Sequence, residues 1–331
     1  MTRPSLMSRH PFDEAVALTP VAATAQERGR EAPAHFDGQP HPAYANMVGP
    51  FGGVTAAQML QSVLQHPQLL GEPVALTVNF AAALADAPFR VEARPARTNR
   101  STQHWTVTMT QTGADGVDAV MLTASAVTAL RRDTWNAVDA PMPAVAAATD
   151  VPRAPFTDRV AWVGRYDMRP VAGAIPQHWD GTEADSLTRL WLRDDPPRPL
   201  DFLSLTALAD AFFPRIWRRR ARMTPIGTVS MTVYFHASAA ELAATGEGYL
   251  LFCQTRPRSD LVIVPRGITR IDPAARKVVQ ARVYRVTPAA DDVSILQLRF
   301  PAGVKVKFKA GQYLDVLLED GQSLDVGPFA I

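Results

Sequence analysis

The 331-residue chain has a single cysteine, Cys253, and that scarcity excludes whole classes of chemistry. One thiol cannot close an internal disulfide, build a cysteine zinc site or hold a four-cysteine iron–sulfur cluster. Net charge is also scarce: 34 basic against 32 acidic residues leave +2, too close to balance to point to nucleic acid. No apolar run approaches the roughly 18 residues of a transmembrane helix, so no membrane partner is expected. The opening MTRPSLMSRHPFDEAV lacks the continuous apolar stretch of a secretory leader, which predicts a cytoplasmic protein. There is no GxGxxG, no phosphate-loop lysine and no HExxH, and His66, His104, His178 and His236 show no ligand spacing. What remains, 47% apolar and 20% charged, is the composition of a folded chain with room for two or three domains.

The most informative stretch is 199–236, PLDFLSLTALADAFFPRIWRRRARMTPIGTVSMTVYFH. Leu205, Leu208, Phe212 and Ile216 recur at helical spacing, and Phe202, Phe213 and Trp217 widen the apolar surface nearly all round, which predicts a buried helix. Asp201 is a good N-cap, and Pro214 cannot donate to the Asp210 carbonyl, so the helix kinks or ends near there. Asp210 is the one acid within that surface. A carboxylate buried there needs hydrogen-bond partners, a chemical task, or both. The next segment, 227–236, alternates Val229, Met231, Val233 and Phe235 with Thr228, Ser230, Thr232 and Tyr234, as a strand does. A hydroxyl at its start is placed to reach the acid. Arg218, Arg219, Arg220 and Arg222 follow the helix, where cations complement its dipole; a phosphate-bearing ligand is the second use of such a cluster.

Earlier in the chain, FDEAVALTPV reads as a first strand and HFDGQPHPAYANMVG as a loop-rich approach. GPFGGVTAAQMLQSVLQ, residues 49–65, then predicts a helix with a glycine-rich entry at Gly49, Gly52 and Gly53. Such an entry lets a ligand approach the unpaired N–H groups closely, which suits a carbonyl oxygen gaining negative charge; a tight turn before a core helix explains it equally. Strand-like runs follow at 74–80, 89–98, 103–112 and 119–130, the third with Trp105, Val107 and Met109 on one face. One helix followed by successive antiparallel strands is an α+β arrangement.

These features together resemble the acyl-CoA thioesterase II type, the double-hotdog thioesterases. The motifs that carry the resemblance are GPFGG before the first helix, then NFxxxL and RxxRSTQHWxVxxxQ, then the LADAFFP helix, and finally the GTxxxTxxFH strand. The resemblance implies two antiparallel sheets, each wrapping a central helix, and a site in which an Asp, a Thr or Ser and a late Gln hold the water that attacks a thioester. Asp210 and Thr228 match the first two. Gln280 lies about where the third falls, one residue out of register. Gly52 and Gly53 would supply the oxyanion contacts.

Residues 140–155, rich in Pro and Ala, read as the linker between an N-terminal hotdog, 1–139, and a C-terminal one, 156–247. Strands are predicted at 160–169 and 187–193. From about Gly248 the likeness changes: GYLLFCQTRPRSDLVIV resembles the end of a plant-type ferredoxin, with Cys253 as its last ligand, and FKAGQYLDVLLEDG resembles the opening strands of a ferredoxin reductase-type flavin barrel. The other cluster cysteines and the flavin-gripping Arg-x-Tyr/Phe-Ser motif are missing, so no cofactor is expected. Residues 248–331 are therefore predicted to be a truncated, fused tail joined near 246–249, with the reading frame altered after Gln322. Its 249–254 and 277–286 stretches are strands fit to pair with the open hotdog edge. The predicted function is hydrolysis of acyl-CoA to free acid and coenzyme A. The alternatives are a non-catalytic acyl-CoA-binding hotdog protein and a fragment of an iron–sulfur flavoprotein reductase. Unpaired sheet edges predict association between copies.

Overall fold

The computed structural model describes residues 9–23, 29, 31–134, 142–155, 160–176, 178, 182, 184–220, 226–245, 248–254, 282–290, 293–301, 314–317 and 323–326. They fall in two compact units, Met1–Ser259 and Asp260–Ile331.

The first unit opens with α1 (Pro11–Ala15) and β1 (Thr19–Val21), not with the strand predicted from FDEAVALTPV. The reason is local: His10 accepts the Phe12 N–H, Pro11 starts the helix, and Asp13 and Glu14 occupy its first turn, all of which favour a helix start. The expected loop after it contains β2 (Ala34–Gly38) and a single 3-10 turn, Pro42–Tyr44. Next come α2 (Gly52–Leu64), β3 (Glu72–Phe80), β4 (Phe89–Thr98), β5 (Thr102–Thr112) and β6 (Asp118–Ala129), within one or two residues of the predicted bounds. Trp105, Val107 and Met109 all face inward, as their alternation with polar residues requires. Ten of the 13 residues of α2 are buried against this sheet.

The second half holds β7 (Tyr166–Ala172), β8 (Thr188–Asp194), α3 (Phe202–Ala209), α4 (Ile216–Arg219), β9 (Ser230–Tyr234), α5 (Ala239–Ala243) and β10 (Leu250–Gln254). Residues 161–165, predicted as strand, form a 3-10 turn ahead of β7. Asp201 caps α3 as expected, exchanging hydrogen bonds with Ser204. The helix stops at Ala209, and α4 starts again beyond Pro214, so the proline ends the first helix rather than bending one long one.

All strand pairs are antiparallel. The main sheet runs β1-β2-β4-β5-β6-β3-β9, and a second runs β10-β8-β7. Strand β9 belongs to the second half by sequence but pairs with β3 of the first, Leu76 opposite Val233. Arg131 fastens that junction: its Nε donates to Glu72 Oε2 at 2.8 Å, and its Nη2 donates to the carbonyls of Pro73 at 2.9 Å and Phe235 at 3.0 Å. Helices α2 and α3 pack closely, since a Cβ at Gly53 would lie 2.5 Å from the Ala207 carbonyl oxygen. An antiparallel sheet laid around a buried central helix is the α+β hotdog arrangement that the sequence predicts.

The stretch 249–254 pairs as expected with the second half, Leu250 opposite Leu192. Tyr249 is built in as well, its hydroxyl donating to Asp167 at 2.5 Å and its ring 4.0 Å from the Arg193 guanidinium. In the second unit β11 (Arg282–Ala290) pairs with β12 (Val293–Arg299), and β13 (Leu314–Leu317) with β14 (Ser323–Val326). Residues 282–286, predicted as strand, are strand in that first hairpin; 277–281 lie outside the described residues.

Candidate active site

Asp210 is the C-cap of α3, the point where the helix ends and the chain turns toward Pro214. The carboxylate lies beside the start of α2, a helix whose N-cap, Phe51, provides no side-chain hydrogen bond. The first N–H groups of a helix have no partner within it and carry the positive end of its dipole, so an acid from elsewhere is well placed there. Asp210 fills that role: it accepts a 3.3 Å hydrogen bond from the Thr228 hydroxyl, and the Gly53 N–H beside it favours its charged form. Gly52 makes the approach sterically possible, because a Cβ there would lie 2.7 Å from Asp210 Oδ2 and 3.3 Å from the Phe80 ring.

Two opposing effects set the acidity of this group. Burial raises the Asp210 pKa to about 6, while the Thr228 hydroxyl and the Gly53 N–H act to lower it. Such a carboxylate is ionised at neutral pH yet basic enough to take a proton from water. Thr228 is exposed and lies just before β9 rather than within it, so the pair opens to solvent on the threonine side.

Of the residues that the sequence singles out, the structure brings Asp210, Thr228, Gly52 and Gly53 together. Gln280 lies outside the described residues. Phe80 and Tyr166 escaped notice. The Tyr166 ring packs edge-on against Phe51 at 6.1 Å, and its hydroxyl feels the Asp210 charge. Phe80 stands in the NFxxxL motif and Tyr166 in the strand predicted at 160–169, but neither was singled out as a site residue, because only the fold shows what each lies against.

The basic stretch serves mainly to hold backbone. Arg215 donates to the Phe213 carbonyl and the Thr188 hydroxyl, and burial beside Arg218 pushes its pKa down to about 10. Arg218 reaches the carbonyls of Asp185 at 2.9 Å and Ala174 at 3.0 Å, and Arg219 that of Ala184 at 3.4 Å. Arg222 is outside the described residues. His66 is buried, bonds the Ala32 carbonyl at 3.1 Å and packs on Trp105, while His104, His178 and His236 are exposed. Among the described residues there is no metal-binding cluster and no helix long and apolar enough to cross a membrane. A cavity of about 500 Å³ lined by Val21, Phe36, Gln65 and His66 lies at the other end of α2, about 20 Å along the helix from Gly52.

Known proteins point the same way. Residues 41–129 match the acyl-CoA thioesterase N-terminal domain, and residues 141–259 match the acyl-CoA thioesterase C-terminal domain. A conserved hot dog fold protein of unknown function from Alicyclobacillus acidocaldarius is 45% identical, with a TM-score of 0.63 over 73% of this chain and 84% of that one. A putative thioesterase II from Thermobifida fusca, 19% identical with a TM-score of 0.56, covers 73% of this chain and 84% of its own; it shows the shared fold. The curated relatives match a different part of the protein's character. Reductase component 2 of terephthalate 1,2-dioxygenase from Comamonas sp is 48% identical over 83 residues, 25% of this chain and 24% of that protein. Reductase component 1 is 50% identical over 74 residues, 22% of each. The chain spans about a quarter of the length of these relatives, which fits a reductase-like segment fused to a thioesterase.

Proposed function

This chain belongs to the acyl-CoA thioesterase family of double-hotdog proteins, and from that premise we propose that it hydrolyses acyl-CoA to a free carboxylic acid and coenzyme A. The observation that carries the reading is the meeting of Asp210, Thr228 and the α2 start. An acid with a pKa raised to about 6 is anchored by one hydroxyl beside the start of α2, and is reachable from solvent.

In this reading Asp210 accepts a proton as water attacks the thioester carbonyl carbon, and Thr228 holds that water against the carboxylate. The carbonyl oxygen becomes an alkoxide. The N–H groups of Gly52 and Gly53 at the positive end of α2 are the donors assigned to it. Collapse of the tetrahedral intermediate breaks the carbon–sulfur bond, and the proton held by Asp210 passes to the departing thiolate. The protein's own groups thus supply a base, an oriented water and a site for negative charge. The family likeness and the acid's setting support this reading over simple acyl-CoA binding, because a carboxylate whose pKa burial has raised is suited to take a proton, a task that binding alone does not need. The test is thiol release from acyl-CoA by wild type and Asp210→Asn, alongside equilibrium binding of acyl-CoA. Loss of turnover with binding retained supports catalysis. Equal turnover by both proteins contradicts it.

A further inference from the structure

The proposed reaction leaves one group of buried polar atoms unused. Asp194 ends β8 at 1% exposure, and among the described residues neither of its carboxylate oxygens has a hydrogen-bond partner. Its cross-strand neighbour is Tyr166 on β7, whose ring meets Tyr44 edge-on at 6.2 Å. Both tyrosine hydroxyls are buried and unpartnered too. Arg198 completes the group. Its Nη2 is shared between Asp13 on α1 at 2.8 Å and Asp201, the N-cap of α3, at 2.9 Å, while its Nη1 is buried without a partner.

Three acids therefore surround one guanidinium, and two of them hold it. Leaving the third buried and ionised is costly, so that acid stays neutral until a donor turns toward it. Burial raises the Asp194 pKa to about 7, with Arg198 opposing the rise and Asp201 and Asp13 adding to it. Arg193 and Asp195 flank Asp194 in the chain, Asp195 being paired with Arg153 at 2.5 Å. Arg165 acts on Tyr44, and Asp210 acts on Tyr166.

We propose that Asp194, Arg198, Asp13 and Asp201 form a proton-controlled clamp between the two halves of the first unit. With Asp194 neutral, Arg198 ties α1 to the cap of α3. When Asp194 releases its proton to solvent, the carboxylate recruits Arg198 Nη1 and the tie to Asp13 weakens. The sign follows from linkage: an acid whose folded pKa is raised stabilises the fold at low pH, and that contribution is lost as pH rises from the ordinary carboxylate range through the folded value. Asp210 titrates in the same direction, so differences between variants are the proper readout.

Melting temperatures of the full chain should be measured from about pH 5 to about pH 8 for wild type, Asp194→Asn and Asp13→Asn. Wild type is expected to lose about 5 °C more than Asp194→Asn across that range. Asp13→Asn is expected to cost about 2 °C at the acidic end and almost nothing at the alkaline end. A wild-type slope in Asp194→Asn, or an equal Asp13→Asn cost at both ends, overturns the clamp. Should Asp194→Asn fail to fold, the Asp13→Asn arm decides alone, since that side chain is 47% exposed and its removal leaves no cavity.

Discussion

The two halves of the first unit begin alike and finish differently. In the first, β2 precedes the central helix α2, β3 follows it, and β4 returns to pair with β2; β5 and β6 then fill the place between β4 and β3. In the second, β8 precedes α3, β9 follows it, and β10 returns to pair with β8. There the described residues of the unit end, at Gln254. The helices reflect this: ten of the 13 residues of α2 are buried, against five of the eight of α3. The less enclosed helix carries the acid, and the start of the more enclosed one lies against it. Among the described residues, Asp210 is thus met by the closed half and by Thr228.

The comparison breaks if the acid is dispensable. Asp210→Asn should lower acyl-CoA turnover by about 10²–10⁴-fold, read by thiol release. The same variant should melt higher than wild type at about pH 8, because a buried carboxylate with a raised pKa costs stability once ionised. Core truncation sharpens the contrast between the helices. Leu60→Ala in α2 should cost about 2–5 kcal/mol in denaturant unfolding. Leu205→Ala in α3, where the side chain is only partly buried, should cost less than about 2 kcal/mol. The link between halves is tested at Gly52. Gly52→Ala puts a methyl group 2.7 Å from Asp210 Oδ2 and should reduce turnover by about 100-fold with little change in helix content by circular dichroism. The smallest effect belongs to Thr228→Val, about tenfold, since its bond to the acid is long at 3.3 Å and exposed.

Much of the closed half was legible in sequence because period-2 alternation and turn residues agree there with the final packing; β4 has the bounds its pattern predicts. Asp201, Asp210 and the glycines were legible for the same reason: each is a local exception with a local physical cause. The failures have causes of a different range. FDEAVALTPV has strand-forming residues, but the His10–Pro11 start decides for a helix. Thr228 falls outside β9 because pairing with β3 ends near Val229, a register set by the other half. Nothing near Gly52 announces that an acid more than 150 residues away lies against it. The Asp194–Tyr166 pairing is likewise invisible before β7 and β8 are laid side by side.

The central claim is that Asp210 works as a base whose acidity is tuned by Thr228. Its most direct test is the pH dependence of kcat/KM for thiol release in wild type and Thr228→Val. The account predicts an ascending limb with a midpoint of about 6 in wild type, moved upward in the variant because the hydroxyl that favours the ionised acid is gone. A profile flat through that range, or a midpoint that does not move, would contradict it.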